Sequence, residues 1–459
     1  MNRNTDRLFK ATLLVILATP ALAADVTVTL DAGAGFVVED NTSTIERLRI
    51  DEATGNISRN GALFVHTTGT FNTFVGESAG NTGTTGIGAN SAFGKNALSS
   101  NTTGFQNSAF GSYALLFNTE GTENSAFGEG ALLANTTGDR NSAFGVRALD
   151  ENTTGDGNSA FGRHSLSLNT TGCCNSAFGE DALQFSTGSR NAAFGYRALR
   201  NNKSSYNAAV GYKALYSNNT GFRNVAVGYN ALGDNTSGTY NVGLGNGAGN
   251  NLNVGARNVA IGSLALGNAT SGNDNIAIGL NAGSAQTTGS RNIYIGSNSG
   301  VAGESGQIKI GSLALHDKVT IAGIHGTSAS GGITVFVNAS GVLGTGASSL
   351  RFKQGVRDMG ETSEVLLQLR PVTFRYRKEV AGGGEDVPQY GLIAEEVAEV
   401  APELVARDAK GQPYSVRYHV LPSLLLNEMQ KQQRTIETLL ARVEQLEQGP
   451  GTEPTETDR

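Results

Sequence analysis

Residues 141–157 read NSAFGVRALDENTTGDG, and residues 158–174 read NSAFGRHSLSLNTTGCC. The second stretch repeats the first: Asn-x-Ala-apolar-Gly, two variable residues, a small residue before Leu, then a polar turn. The same unit opens at Asn90, Asn107, Asn124, Asn141, Asn158, Asn175, Asn191, Asn207, Asn224, Asn241, Asn258, Asn275 and Asn292, spaced by 17 residues in all but two intervals, which are 16. A divergent first copy, NTFVG, starts at Asn72. A short fixed period whose units cannot each bury an apolar face predicts a stack of coils. The expected fold is mainly β, a β-roll or β-solenoid rod of about 14 repeats over residues 71–299.

One register of the unit holds Phe93, Phe110, Phe127, Phe144, Phe161, Phe178 and Phe194, replaced further on by Val210, Val227, Leu244, Ile261, Ile278 and Ile295. Stacked at the strand spacing of about 4.8 Å, this column is expected to face inward as an apolar ladder in a rod on the order of 65 Å long. The Gly after each apolar residue and the Gly of NTTG suit corners that need positive φ, which Asn also tolerates.

Composition narrows the function. Of 459 residues only 38% are hydrophobic, none is Trp and 62 are Gly, which suits a repeat better than one large core and lacks a collagen period. A net charge of −6 gives no basic footprint for nucleic acid. The five histidines are scattered, the acids Glu129, Asp150, Asp156 and Asp181 follow no pattern, and no calcium-binding nonapeptide occurs, so neither metal nor cofactor is expected. The paired carboxylates of a glycan-cleaving site are not patterned either. Cys173 and Cys174 occupy a variable turn position and read as tolerated loop residues, with a vicinal disulfide or an interchain crosslink as alternatives.

The first residues form an address. Arg3, Arg7 and Lys10 precede ATLLVILATPALA, which ends in small residues. This predicts a signal peptide, residues 1–23, cut between Ala23 and Ala24, and hence a secreted or cell-surface protein. The apolar run is too short, and too broken by Pro20, to span a membrane, and no later run approaches that length.

Smaller modules flank the repeats. A β module is expected at 24–70 and a β stalk at 300–347, with RLRIDEATGNI (47–57) and ITVFVNASGVL (333–343) both patterned as hairpins. From 348 to 448 the pattern becomes α/β: ETSEVLLQL as a short helix before Pro371, VTFRY as a strand, AGGGED as a turn, QYGLIAEEV as a strand entering a helix bounded by Pro402, and RDAKGQ as a turn. The last helix, 421–446, sets Leu425, Met429, Ile436, Leu439, Val443 and Leu446 at heptad spacing, with Gln432 interrupting the seam, which predicts a coiled coil. Residues 449–459 are Pro/Gly/Thr/Glu-rich and expected to be disordered.

The repeat is similar to those in the heads of trimeric autotransporter adhesins and of bacterial proteins bearing phage-tail-fibre C-terminal domains. In the last domain SSLRFK, LRPVTFRY, YGLIAEEV with PELV, and VRYHVLPSLLLNEMQKQ follow in order. Together they resemble the self-cleaving intramolecular chaperone of endosialidase tail spikes, over about residues 348–435. The resemblance implies a homotrimer and a Ser-Lys dyad, Ser348 and Lys353, that releases the domain after assembly. Where the family commonly has Asp after the serine, this chain has Ser349. The expected cut is at the Ala347–Ser348 bond, with the bond on the other side of Ser348 as the alternative.

The chemistry is consistent with that implication. A lysine must be neutral to take a serine proton, which means lowering a free pKa of about 10.4 by roughly 3 units, about 4 kcal/mol, through desolvation. Burial between assembled chains would supply this, making the cut conditional on assembly. Two other readings stay open: a passive trimeric adhesin that never cuts, and a carbohydrate-degrading spike. A partner glycan or host receptor is not specified by the residues.

Overall fold

The computed structural model describes residues 26–449 except 32–34, 41–45, 52, 54, 60–61, 82–87, 313, 317–318, 323–331, 339, 378–386 and 409. The expected signal peptide with its Ala23–Ala24 cut, the AGGGED turn and nearly all of the C-terminal tail lie outside the described residues. The chain divides into two compact units, one ending at Thr320 and the other beginning at Ile321.

The first unit opens with an antiparallel meander: β1 (Val26–Asp31), β2 (Gly35–Asp40), β3 (Glu46–Ile50), β4 (Ile57–Arg59) and β5 (Ala62–His66). The expected hairpin at 47–57 is the β3–β4 pair, turned at Gly55 with φ +69°. β5 pairs antiparallel with β6 (Thr73–Val75), the first strand of the solenoid. Fifteen parallel three-residue strands then stack in register from β6 to β20 (Ile308–Ile310), one coil beyond the last Asn-headed repeat. Ser142 pairs with Ser159, Ala143 with Ala160 and Phe144 with Phe161, and so on along the stack.

The inward residues differ from the expectation. In each strand the middle residue, Ala143 for example, is fully buried, and so is the Leu of the following turn, Leu149. Phe144 and its column lie on the opposite, outer side of the strand and keep part of their surface exposed. The reason is alternation: in a three-residue strand the first and third side chains share a face and the second takes the other. The interior holds the small Ala and the branched Leu, and the Phe rings stack outside it, with centroids 4.7 Å apart from Phe93 through Phe178.

Buried polarity binds coil to coil. The leading Asn of each unit is buried, and its Oδ1 accepts the backbone N–H of the next leading Asn, as from Asn107 to Asn90 at 2.9 Å. Its amide Nδ2 donates to the carbonyl of the turn glycine, Asn107 to Gly121 at 2.8 Å. A second column, the Asn of NTTG, does the same, with Asn118 Nδ2 on Asn101 Oδ1 at 3.0 Å. Each satisfied buried group avoids a desolvation cost of about 1–3 kcal/mol.

The glycines have two different roles. Gly145, after the strand, adopts φ +141° as expected. The Gly of NTTG does not need positive φ; it is there for space, since a Cβ on Gly121 would lie 2.4 Å from Asn118 Oδ1 and 2.6 Å from the Gly138 carbonyl oxygen. The left-handed corners fall instead on ordinary residues, Arg140, Arg147 and Leu149 in one coil, with φ between +54° and +56°. That conformation costs roughly 1–2 kcal/mol per residue, and each such N–H bonds to a neighbouring coil, Leu149 to the Ser165 carbonyl at 3.0 Å and Arg147 to the Glu129 carbonyl at 2.9 Å.

Aromatics close both ends of the stack. At one end Phe74 replaces the inward Ala and packs against buried His66, whose Nε2 lies 2.9 Å from the Ala79 carbonyl oxygen. At the other end Tyr294 fills the same position, donating its hydroxyl to Glu304 Oε1 at 2.8 Å, and Lys309 pairs with the other oxygen of that carboxylate. Such plugs are what a stack of one-sided coils needs at its termini.

The second unit holds the hairpin β21 (Val335–Val337) and β22 (Leu343–Thr345), the pair β23 (Val372–Phe374) and β24 (Gln389–Gly391), the helix α1 (Ala394–Val400), the pair β25 (Val405–Arg407) and β26 (Pro413–Val416), and the helix α2 (Leu421–Glu447). Its small core comprises Val397, Ala401, Leu404, Val405, Val416 and Leu424. Among the described residues no helix is long and apolar enough to cross a membrane.

Candidate functional site

The chain leaves β22 through Gly346 and Ala347 and reaches Ser348 in an exposed segment. Ser349 is extended, with φ −64° and ψ 140°, and Leu350–Phe352 form one 3-10 turn. That turn is closed by the Phe352 N–H on the Ser349 carbonyl and the Lys353 N–H on the Leu350 carbonyl, both at 3.0 Å. A tight turn with three residues per revolution reverses the chain. It lets the long Lys353 side chain fold back, and its Nζ donates to Ser348 Oγ at 3.2 Å.

The structure therefore brings together the two residues singled out in the sequence. Among the described residues no carboxylate pairs with Lys353, leaving the serine hydroxyl as its hydrogen-bond partner. Both groups are open to solvent in the single chain, and so are the neighbouring Leu350 and Phe352. The Arg351 guanidinium lies 4.6 Å from the Phe352 ring centroid.

The segment rests on a domain tied together across long sequence separations. Ser363, in the 3-10 helix Gly360–Gln368, is fully buried; its hydroxyl donates to Glu428 Oε1 and accepts from Asn427 Nδ2. Asn427 also donates to the Gly360 carbonyl at 2.8 Å, and Lys431 bridges Glu364 and Glu428, each at 3.0 Å. The Ser363 hydroxyl, and then the Lys431 ammonium, hold the Glu428 carboxyl below its usual range. This tie locks the 3-10 helix onto α2 and was not read from the sequence, since its members lie 64 or more residues apart. Arg370 makes a two-pronged contact with Glu396, joining the start of β23 to α1. The β21–β22 hairpin is held by Phe336, whose ring lies 4.7 Å from that of His419.

The seam residues of α2, Leu425, Met429, Ile436, Leu439, Val443 and Leu446, are all exposed, and of this helix only Leu424 is buried. The cysteines are free, Cys174 exposed and Cys173 partly so. Among the described residues no group of three or more His, Cys, Asp or Glu side chains is placed to hold a metal ion.

Residues 348–406 match the peptidase family described as chaperone of endosialidase. The matched segment opens at Ser348 itself. No curated protein matches the chain. The C-terminal segment is thus a chaperone-of-endosialidase domain, carried behind a β-solenoid.

Proposed function

We propose that this chain is the subunit of an exported trimeric fibre whose C-terminal domain aligns three copies and then cuts itself free at Ser348. The observation that carries the reading is the 3.2 Å contact between Lys353 Nζ and Ser348 Oγ at the first residue of the matched domain. Support for the trimer is the family match and the unpartnered apolar seam of α2. Support for export is the patterned leader at residues 1–23.

In the proposed step neutral Lys353 takes the Ser348 hydroxyl proton as Oγ attacks the Ala347 carbonyl carbon through a five-membered ring. The Ala347–Ser348 amide breaks, the Ser348 nitrogen accepts a proton, and residue 347 is left as an ester on Oγ. Water then hydrolyses the ester, giving a carboxylate on Ala347 and a free amine on Ser348. In the single chain the ammonium is solvated, so it acts as a donor and the serine stays inert. Packing of three exposed SSLRFK segments around one axis would remove that water and favour the neutral amine.

Coils of near-identical sequence have many registers that pair almost equally well, and slipped pairing is a hazard for them. Helices that associate first would fix the register, and removal of the domain afterwards would leave the rod kinetically trapped. The test is expression of the full chain beside Ser348→Ala. The wild type should yield a fragment whose N-terminus is Ser348, and the variant should stay full length. Wild-type protein that trimerises and remains uncut would overturn the cleavage.

A further inference from the structure

We propose that the outer face of the solenoid strands is the seam along which copies of this chain meet. This deepens the trimeric reading above and rests on it. The face consists of the first and third residue of each strand: Ser and Phe from Ser91–Phe93 to Ser176–Phe178, then two aliphatic residues per strand from Val225–Val227 onward. None of these positions, from Thr73 and Val75 to Ile308 and Ile310, is charged, whereas charges such as Glu129, Arg147 and Asp181 sit on the turns. Phe194 and Val227 each remain 41% exposed and Ile278 39%, although every one is already stacked between its neighbours in adjacent coils. Their outward surface is therefore uncovered by the chain itself.

The repeat identifies the occupant. A partner for this face must present apolar side chains at the same 4.7 Å step over the whole stack, and a second copy of this solenoid does so. A chargeless face meets its own duplicate without like-charge repulsion. Fifteen strands about 4.8 Å apart and roughly 10 Å long make a band on the order of 700 Å² per copy, near the ~800 Å² per partner of a stable interface. The face is also graded, Ser–Phe in the first half and paired Val or Ile in the second. Copies aligned in parallel and in register set Phe against Phe and Ile against Ile, and a copy slipped by several coils does not.

The experiment uses the full chain with Cys173→Ser and Cys174→Ser. Ser142→Cys is added on the outer face beside Phe144, or Thr154→Cys on an exposed turn. After light scattering of each protein, mild oxidation should link Ser142→Cys chains covalently in pairs, and Thr154→Cys chains should stay unlinked on a denaturing gel. In the trimer a maleimide should label Ser142→Cys poorly and Thr154→Cys fully, with both labelled after denaturation. A trimer in which Thr154→Cys links and Ser142→Cys is unlinked and freely labelled overturns this face while leaving the trimer standing. A monomer by light scattering overturns the trimeric reading, and this seam with it.

Discussion

The backbone N–H of Asn158 donates to the side-chain oxygen of Asn141, one coil earlier, at 3.0 Å, and both residues are fully buried. The contact recurs along the stack, so each coil supplies the acceptor that the next coil's buried backbone requires. Asn141→Ala removes that acceptor and should destabilise the solenoid by about 1–3 kcal/mol. Thr154→Ala, on an exposed turn, should stay within about 0.5 kcal/mol. Denaturant midpoints of the two variants check this, and equal midpoints would contradict the ladder's role.

The inner and outer faces respond differently to charge. Leu149→Asp places an unpaired carboxylate in the closed interior and should prevent the coils from forming, at a cost of several kcal/mol. Phe144→Asp leaves the charge on the outer face, so the solenoid should still fold, with circular dichroism like the wild type, and assembly should fail. If Phe144→Asp abolishes the β signal as Leu149→Asp does, the outward placement of Phe144 is wrong.

Two glycines separate crowding from backbone strain. Gly121→Ala puts a methyl group within 2.6 Å of two atoms of neighbouring residues at an unstrained backbone. Gly157→Ala meets nothing within 4 Å at φ +63°. The second should cost roughly 1–2 kcal/mol, the price of an L-residue in the left-handed region, and the first more than that, because backbone must move. Thermal unfolding of both variants gives the ranking.

The cap at His66 should be acid-sensitive. Burial lowers the imidazole from its ordinary value near 6.5, partly opposed by the Ala79 carbonyl. The folded cap thus prefers neutral imidazole, and the unfolded chain binds a proton more readily as pH falls below about 6.5. The cap's stability should fall as pH drops through that value and level off below the depressed folded pKa. Hydrogen exchange at residues 73–80, faster at pH 5 than at pH 7 after correction for intrinsic rates and slower to change with pH in His66→Gln, is the expected result.

Much of this was legible in the sequence, and the failures share a cause. The 17-residue period, both hairpins and the helix bounds (421–446 expected, Leu421–Glu447 found) follow from local pattern. Which way Phe144 faces does not, because a repeat period of 17 places Ala143, Phe144 and Leu149 in columns equally well. Burial is decided only when a three-residue strand alternates and the coil closes. The left-handed Leu149 and the steric role of Gly121 likewise depend on the neighbouring coil. Ser348 and Lys353 were legible because five residues of sequence and one 3-10 turn contain their contact, whereas the Ser363–Asn427 tie spans two distant elements.

Assembly should control processing. Ile436→Asp alters an exposed residue of α2, so the single-chain domain should fold normally. Without association of the helices, the Lys353 ammonium stays wet and cutting should slow. A monomeric Ile436→Asp protein cut as fast as the wild type would separate cleavage from assembly.

The most direct test of the central claim is the time course of processing in Lys353→Ala, with N-terminal sequencing of any fragment. Removal of the amine leaves Ser348 without a base, so the protein should remain full length and still assemble as a trimer, whereas the wild type releases a fragment beginning at Ser348 and Ser349→Ala continues to cut. Lys353→Ala processed at the same bond and at an unchanged rate would contradict the dyad and point to a contaminating protease.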